Sequence, residues 1–255
     1  MLERRTYSYL ANVLLVIAIF SIHAAAQDRN IWNEYRPSLI SAMPINEKWI
    51  AWQYNVLVYA PEKKLTTIGV TMPGITYRPL AKKGKGTWLE LWAGTLFTYT
   101  DNYNKTNSWE IRPVVGVRTF LPNTKKVNII NFGRYEFRKF FEDNHSTEQP
   151  RFRDRVSIEI PLAKGDKRWA PGTYYTAADV EPFWRLDNQF MEKVRLRGTL
   201  GYIVKKRLAV EFIYHAEWAG GKGKPKNYVG NIWRVSLKLL LPKGKGIFPR
   251  IDIDE

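Results

Sequence analysis

Cysteine is absent from the 255 residues. Disulfide frameworks, thiol nucleophiles and cysteine-ligated metal sites are therefore excluded. Histidine is nearly as scarce: of three in the chain, His23 falls in a leader-like N-terminal segment, which leaves His145 and His215 for any imidazole chemistry. His145 sits in the polar run F-E-D-N-H-S-T-E-Q-P and reads as a solvated loop residue. No G-x-S-x-G turn occurs, ligand-type residues do not cluster at metal-binding spacings, and Gly221, Gly223, Gly244 and Gly246 belong to basic loops rather than to a phosphate-binding strand-loop-helix. Helical periodicity is missing beyond residue 26. Outside residues 10–22 no apolar run approaches the roughly 20 residues a membrane-spanning helix needs.

What is present begins with Arg4 and Arg5, the apolar run 10–22 and the small residues Ala24, Ala25 and Ala26. That order predicts a signal peptide over residues 1–26, cleaved after Ala26. Its loss would remove Glu3, Arg4 and Arg5 and take the formal charge from +16 to +15. A basic chain with interleaved Trp and Tyr invites a nucleic-acid reading. Export argues against it, and the lysines gather in turns, at Lys82, Lys83 and Lys85, at Lys205 and Lys206, and at Lys222, Lys224 and Lys226. No nucleic-acid partner is expected; lysines so placed suit lipid phosphates.

The remainder alternates with period two. Residues 193–202 read K-V-R-L-R-G-T-L-G-Y, with Lys193, Arg195 and Arg197 on one parity and Val194, Leu196, Leu200 and Tyr202 on the other. Side chains of a strand point alternately to its two faces, so one face meets an apolar medium and the other a polar one. The same pattern recurs over residues 107–121, 127–140, 151–162, 173–186, 207–218 and 228–241. Asp154 is the one clear exception. The polar parity collects Glu110, Arg112, Arg118, Arg134, Glu136, Arg138, Arg153, Arg155, Glu159, Glu181, Arg195, Arg197, Glu211, His215 and Arg234 as candidates for a barrel interior.

Alternation alone does not separate a soluble sandwich from a membrane barrel. Three features favour the barrel. The segments run to about 10 to 14 residues, whereas soluble strands average about 5 to 6 and tilted membrane strands need about 9 to 11. Trp49, Trp88, Tyr99, Trp109, Tyr202, Trp218, Tyr228 and Trp233 lie near segment ends, where interfacial girdles form. Both signs of charge occur within single segments, as suits pairing across an interior. A sheet in hydrocarbon must also close, because open edges leave backbone groups unpaired. The expectation is an all-β fold: a closed antiparallel up-and-down transmembrane β-barrel of ten strands over residues 48–241, after a lead-in or first strand at 27–47 and before a tail at 242–255. A twelve-strand alternative would add residues 31–42 and 247–253. Turns 122–126 and 203–207 are expected on the periplasmic side, and 100–106, 141–150 and 219–227 outside.

The order of motifs resembles the bacterial outer-membrane family catalogued as domain of unknown function 2490. The residues that carry the resemblance are Trp32 with Glu34, E-x-R-P at 110–113, the Arg134, Glu136, Arg138 ladder, R-x-R-V-x-I-E-I-P-L at 153–162, D-V-E-P-F at 179–183, R-L-R-G-T-L-G-Y at 195–202 and E-F-I-Y at 211–214. Membership implies a barrel without an established activity. Many such barrels end on an aromatic, whereas here Leu241 and Pro242 precede a tail.

The function expected is that of an outer-membrane barrel, either structural or a narrow, anion-favouring pore with an Arg/Glu interior. It would contact outer-membrane lipid, including lipopolysaccharide, and the assembly machinery, with no catalytic residue, metal or cofactor. Two alternatives stand beside it: a lipid-modifying enzyme using His215 with Ser157 or Ser236, and a soluble exported barrel that binds an apolar ligand.

Overall fold

A computed structural model describes residues 31–61, 65–81, 87–102, 107–121, 127–142, 145–163 and 169–241. The expected signal peptide 1–26 and the tail 242–255, with the extra strand at 247–253, lie outside the described residues. Eleven strands follow in order: β1 (Trp32–Pro44), β2 (Trp49–Ala60), β3 (Leu65–Tyr77), β4 (Leu89–Asn102), β5 (Ser108–Phe120), β6 (Asn128–Glu142), β7 (His145–Pro161), β8 (Thr173–Arg185), β9 (Phe190–Lys205), β10 (Leu208–Ala219) and β11 (Asn227–Leu240). They form one closed barrel.

Against ten antiparallel strands expected, the barrel has eleven, because residues 32–44 form a strand of their own. With an odd number, the first and last strands run the same way, so β1 closes against β11 in parallel, from Trp32↔Gly230 to Ala42↔Leu240. Pro37 and Pro44 obscure β1 in the sequence, since proline brings no amide donor to a ladder. Beside Pro37, the Ser38 hydroxyl lies 3.4 Å from the Val235 carbonyl and 2.5 Å from Ser236 Oγ, which adds side-chain hydrogen bonding to the seam. A second difference concerns residues 141–150, expected as an external loop. There β6 and β7 stay in register out to Glu142↔His145, so His145 is the exposed first residue of β7.

Parity sorts the side chains. Leu57, Ile75, Leu91, Ile111, Val115, Val117, Val156, Ile158, Ile160, Val180, Leu200, Val210, Phe212, Val235 and Leu237 stand exposed on the outer wall. Aromatic pairs flank this belt at both ends. Trp49 with Tyr77 and Tyr174 with Tyr202 mark the end where β11 finishes, at ring separations of 4.5 and 4.7 Å. Tyr35 with Tyr59, Tyr99 with Trp109 and Phe152 with Trp184 mark the end where β1 starts. Two polar clusters interrupt the belt: Gln53, Asn55 and Thr71 bond one another, and Asn131 donates to Asp154 at 2.7 Å.

The interior is not charged throughout. Ile40, Ile50, Trp52, Tyr54, Val56, Val70, Met72, Trp92, Leu96 and Phe132 form a buried apolar cluster on β1–β4 and β6. On β2 both parities are rich in apolar and aromatic residues, so the pattern there does not say which faces in. Packing of Trp52 on Trp92, and of Trp92 on Phe132, at 4.8 and 5.1 Å, turns the even-numbered residues of β2 inward. Large rings reach the centre because small residues lie beneath them. A Cβ at Gly74 would stand 2.0 Å from the Trp52 ring, and one at Gly201 2.1 Å from Tyr175. Gly74→Val is expected to destabilise the barrel by about 1 to 3 kcal/mol through overpacking, read as a lower midpoint for the loss of heat-modifiable gel migration.

Candidate functional site

Opposite the apolar wall, β5–β10 turn arginines and carboxylates toward one another. Glu136 is the hub. It accepts from Arg151 Nη2 at 2.5 Å and from Arg153 Nη1 at 2.9 Å, and lies 3.3 Å from Arg134 and 3.9 Å from Arg112. Arg134 and Arg153 also reach Glu181, at 2.8 and 2.7 Å. Arg112 and Arg138 share Glu110, Lys193 and Arg195 share Glu217, and Arg197 binds Asp179 at 2.5 Å. Toward the other end, Arg78 and Arg118 share Glu90, and Glu211 holds Lys238 and the Tyr175 hydroxyl.

Two phenyl rings space these cations. Phe183 has Arg153, Arg151 and Arg195 over it at 4.1, 5.0 and 5.0 Å, and Phe132 has Arg118 and Arg134 at 4.9 and 5.3 Å. Arginine suits these places because its planar guanidinium can stack on a ring while its edge bonds a carboxylate. Removing so many ions from water is costly, and only near-complete pairing offsets it. Arg118, Arg153, Arg155 and Glu136 are each at most 1 % exposed, so side chains fill this part of the interior.

Toward the end where β1 starts, the filling gives way to a cavity of about 220 Å³ lined by Glu34, Arg36, Val58, Val70, Thr98, Glu110, Arg112, Arg138, Arg151, Phe183, Lys193 and Arg195. Six of the lining residues are cations and two are carboxylates. At the same end, in the β8–β9 connection, a hydrogen bond from Arg185 holds the Asp187 carboxyl below the ordinary carboxylate range. Among the described residues no group of His, Asp and Glu is arranged to hold a metal ion.

A family model described as protein of unknown function (DUF2490) matches residues 64–227. The chain belongs to this family. The DUF2490 match begins one residue before β3 and ends on the first residue of β11, so β1, β2 and the parallel seam lie beyond it. No curated protein and no solved structure matches the chain.

Within this DUF2490 barrel, Glu110, Arg112, Arg118, Arg134, Glu136, Arg153, Arg155, Glu159, Glu181, Arg195, Arg197, Glu211, His215 and Arg234 are buried on inward parities, and Arg138 is half-buried. They do not converge on one place. Glu110, Arg112, Arg138 and Arg195 line the cavity; Arg134, Glu136, Arg153 and Glu181 back it; Arg234 lies at the seam, bonding Ser38 and Ser236 at 3.1 and 2.9 Å. Serine and histidine are not brought together. Strands β8 and β9 separate Ser157 from His215, and Ser236 lies opposite Glu211, four residues along from His215, or roughly 13 Å at the rise of a strand. The interior candidates read from the sequence did not include Arg36, Arg151 and Lys193, which line the cavity, or Glu217, which pairs with Lys193 and Arg195 behind it. Arg151 and Lys193 share the parity of selected neighbours, which was the available signal. Glu136→Gln, which keeps the shape and removes the charge, is expected to cost about 3 to 5 kcal/mol by taking from Arg151 its 2.5 Å carboxylate partner and from Arg153 one of its two. Pairing it with Arg151→Met should recover part of the loss in denaturant titrations.

Proposed function

We propose that this is an outer-membrane β-barrel whose interior, over the described residues, is a charged and aromatic plug with a basic vestibule at the end where β1 starts. The observation that carries the proposal is the inversion of the ordinary soluble pattern: the outer wall is an apolar belt between two sets of aromatic pairs, while paired ions fill the β5–β10 side of the inside. In water such a belt would far exceed the apolar patches of a monomeric soluble protein. In hydrocarbon it is the favourable surface, and closure leaves no backbone edge exposed to lipid. The Gln53, Asn55 and Thr71 cluster and the Asn131–Asp154 pair are compatible with that medium because their groups bond each other.

A barrel of about eight strands is just filled by ordinary side chains. Eleven strands enclose more width, and here long arginines and Trp, Tyr and Phe rings occupy it. The filling of the described interior by side chains supports a structural role over a conducting one, with outer-membrane lipid and its lipopolysaccharide as the surroundings and the outer-membrane assembly machinery as the route of insertion.

Fractionation tests the placement: the protein should remain with outer membranes after salt and carbonate washes and show heat-modifiable migration, whereas recovery in the soluble periplasm without detergent would overturn it. Val115→Arg, on the outer wall, should cost about 2 to 4 kcal/mol of folding stability in lipid vesicles if that position faces the bilayer midplane. In planar bilayers the purified barrel should give no steady conductance; a persistent open level would overturn the closed plug while leaving the membrane placement intact.

A further inference from the structure

Among the described residues, the wall of the cavity at the β1-start end carries six cations and two carboxylates. Counting the carboxylates that reach its wall from behind, Glu136, Glu181, Glu192 and Glu217, and the further cations they hold, Arg134 and Arg153, the described residues of this region comprise eight cations and six carboxylates. Like charges are thereby held together: Arg151, Lys193 and Arg195 all approach the face of Phe183, at 5.0, 5.6 and 5.0 Å. These three cations share two close carboxylates, Glu136 and Glu217, so a further anion placed among them meets an attractive field.

We infer that this vestibule binds a phosphate-type dianion, either free phosphate or the phosphomonoester of a lipid headgroup. The lining cations come from β1, β5, β6, β7 and β9 and so surround the space. A tetrahedral anion with several acceptor oxygens suits donors arriving from many directions, and guanidinium forks favour it further. At about 30 Å³ per water-sized group, 220 Å³ has room for a phosphate and a few waters. Phe183, 1 % exposed, forms an apolar wall against which Arg151, Lys193 and Arg195 gather. The site depends on the vestibule and not on where the barrel resides, so its failure is distinct from failure of the membrane placement.

The test is calorimetric titration of the full-length, detergent-purified protein at constant ionic strength, with inorganic phosphate in one arm and mixed micelles containing phosphatidic acid in the other, each against a chloride control. Lys193→Gln and Arg138→Gln, at the less buried part of the lining, should each weaken binding about tenfold, the loss expected for one charge-assisted hydrogen bond. Glu34→Gln removes a competing carboxylate and should tighten it, a gain that a merely damaged fold would not produce. Lys222→Gln, in an exposed loop away from the lining, should change nothing in the inorganic-phosphate arm. Binding of phosphate alone or of both probes with this pattern identifies a phosphate site open to free anions; binding of micelles alone with this pattern identifies a headgroup site. No binding in either arm, or binding that ignores Lys193, Arg138 and Glu34, overturns the proposal.

Discussion

Closure of the sheet is the constraint on which the rest depends. Without the parallel ladder from Trp32↔Gly230 to Ala42↔Leu240, β1 and β11 would each present a row of unpaired amide and carbonyl groups. The interior would then open along Ser38, Arg234 and Ser236, whose hydrogen bonds bridge the two strands. Parallel pairing follows from the odd strand number alone. It also places the start of β1 and the finish of β11 at opposite ends of the barrel. Because the family match spans residues 64–227, the strands that complete closure lie largely outside the matched core.

Once closed, eleven strands leave a cross-section that aliphatic side chains do not fill. Two solutions share it. On the β1–β4 side Trp52 reaches inward over Gly74 and Gly94, Trp92 packs on it, Tyr54 is buried in the same cluster, and burial of aromatic area stabilises all three. On the β5–β10 side arginines span the gap, stabilised by shared carboxylates and by stacking on Phe132 and Phe183. Arg118 joins the two, lying 4.2 Å from the Trp92 ring while paired with Glu90. Such a filling is specific as well as tight, since each carboxylate must find its guanidinium for the interior to close.

The cavity marks where this filling stops. Cations there share carboxylates, as Lys193 and Arg195 share Glu217 and Arg112 and Arg138 share Glu110. Deeper in the barrel, by contrast, Arg153 is gripped by both Glu136 and Glu181.

The sequence by itself determined the strand character and the alternation, with the charged residues gathered on one parity. Period two is a local property of an extended chain, so Arg153, Arg155, Arg195 and Arg197 could be assigned to one face from their spacing alone. It equally marked the R-L-R-G-T-L-G-Y stretch as two-faced. Local pattern failed where its cause was not local. Whether β1 exists depended on β11, nearly two hundred residues away, because Pro37 argues against a strand until a seam supplies its partners. Which face of β2 turns inward depended on Trp92 and Phe132. Only the tertiary structure decided that Arg36, Arg112, Arg138, Arg151, Lys193 and Arg195 line a single cavity. Parity tells on which side of the sheet a residue lies; barrel closure and strand register decide which residues from separate strands share a height.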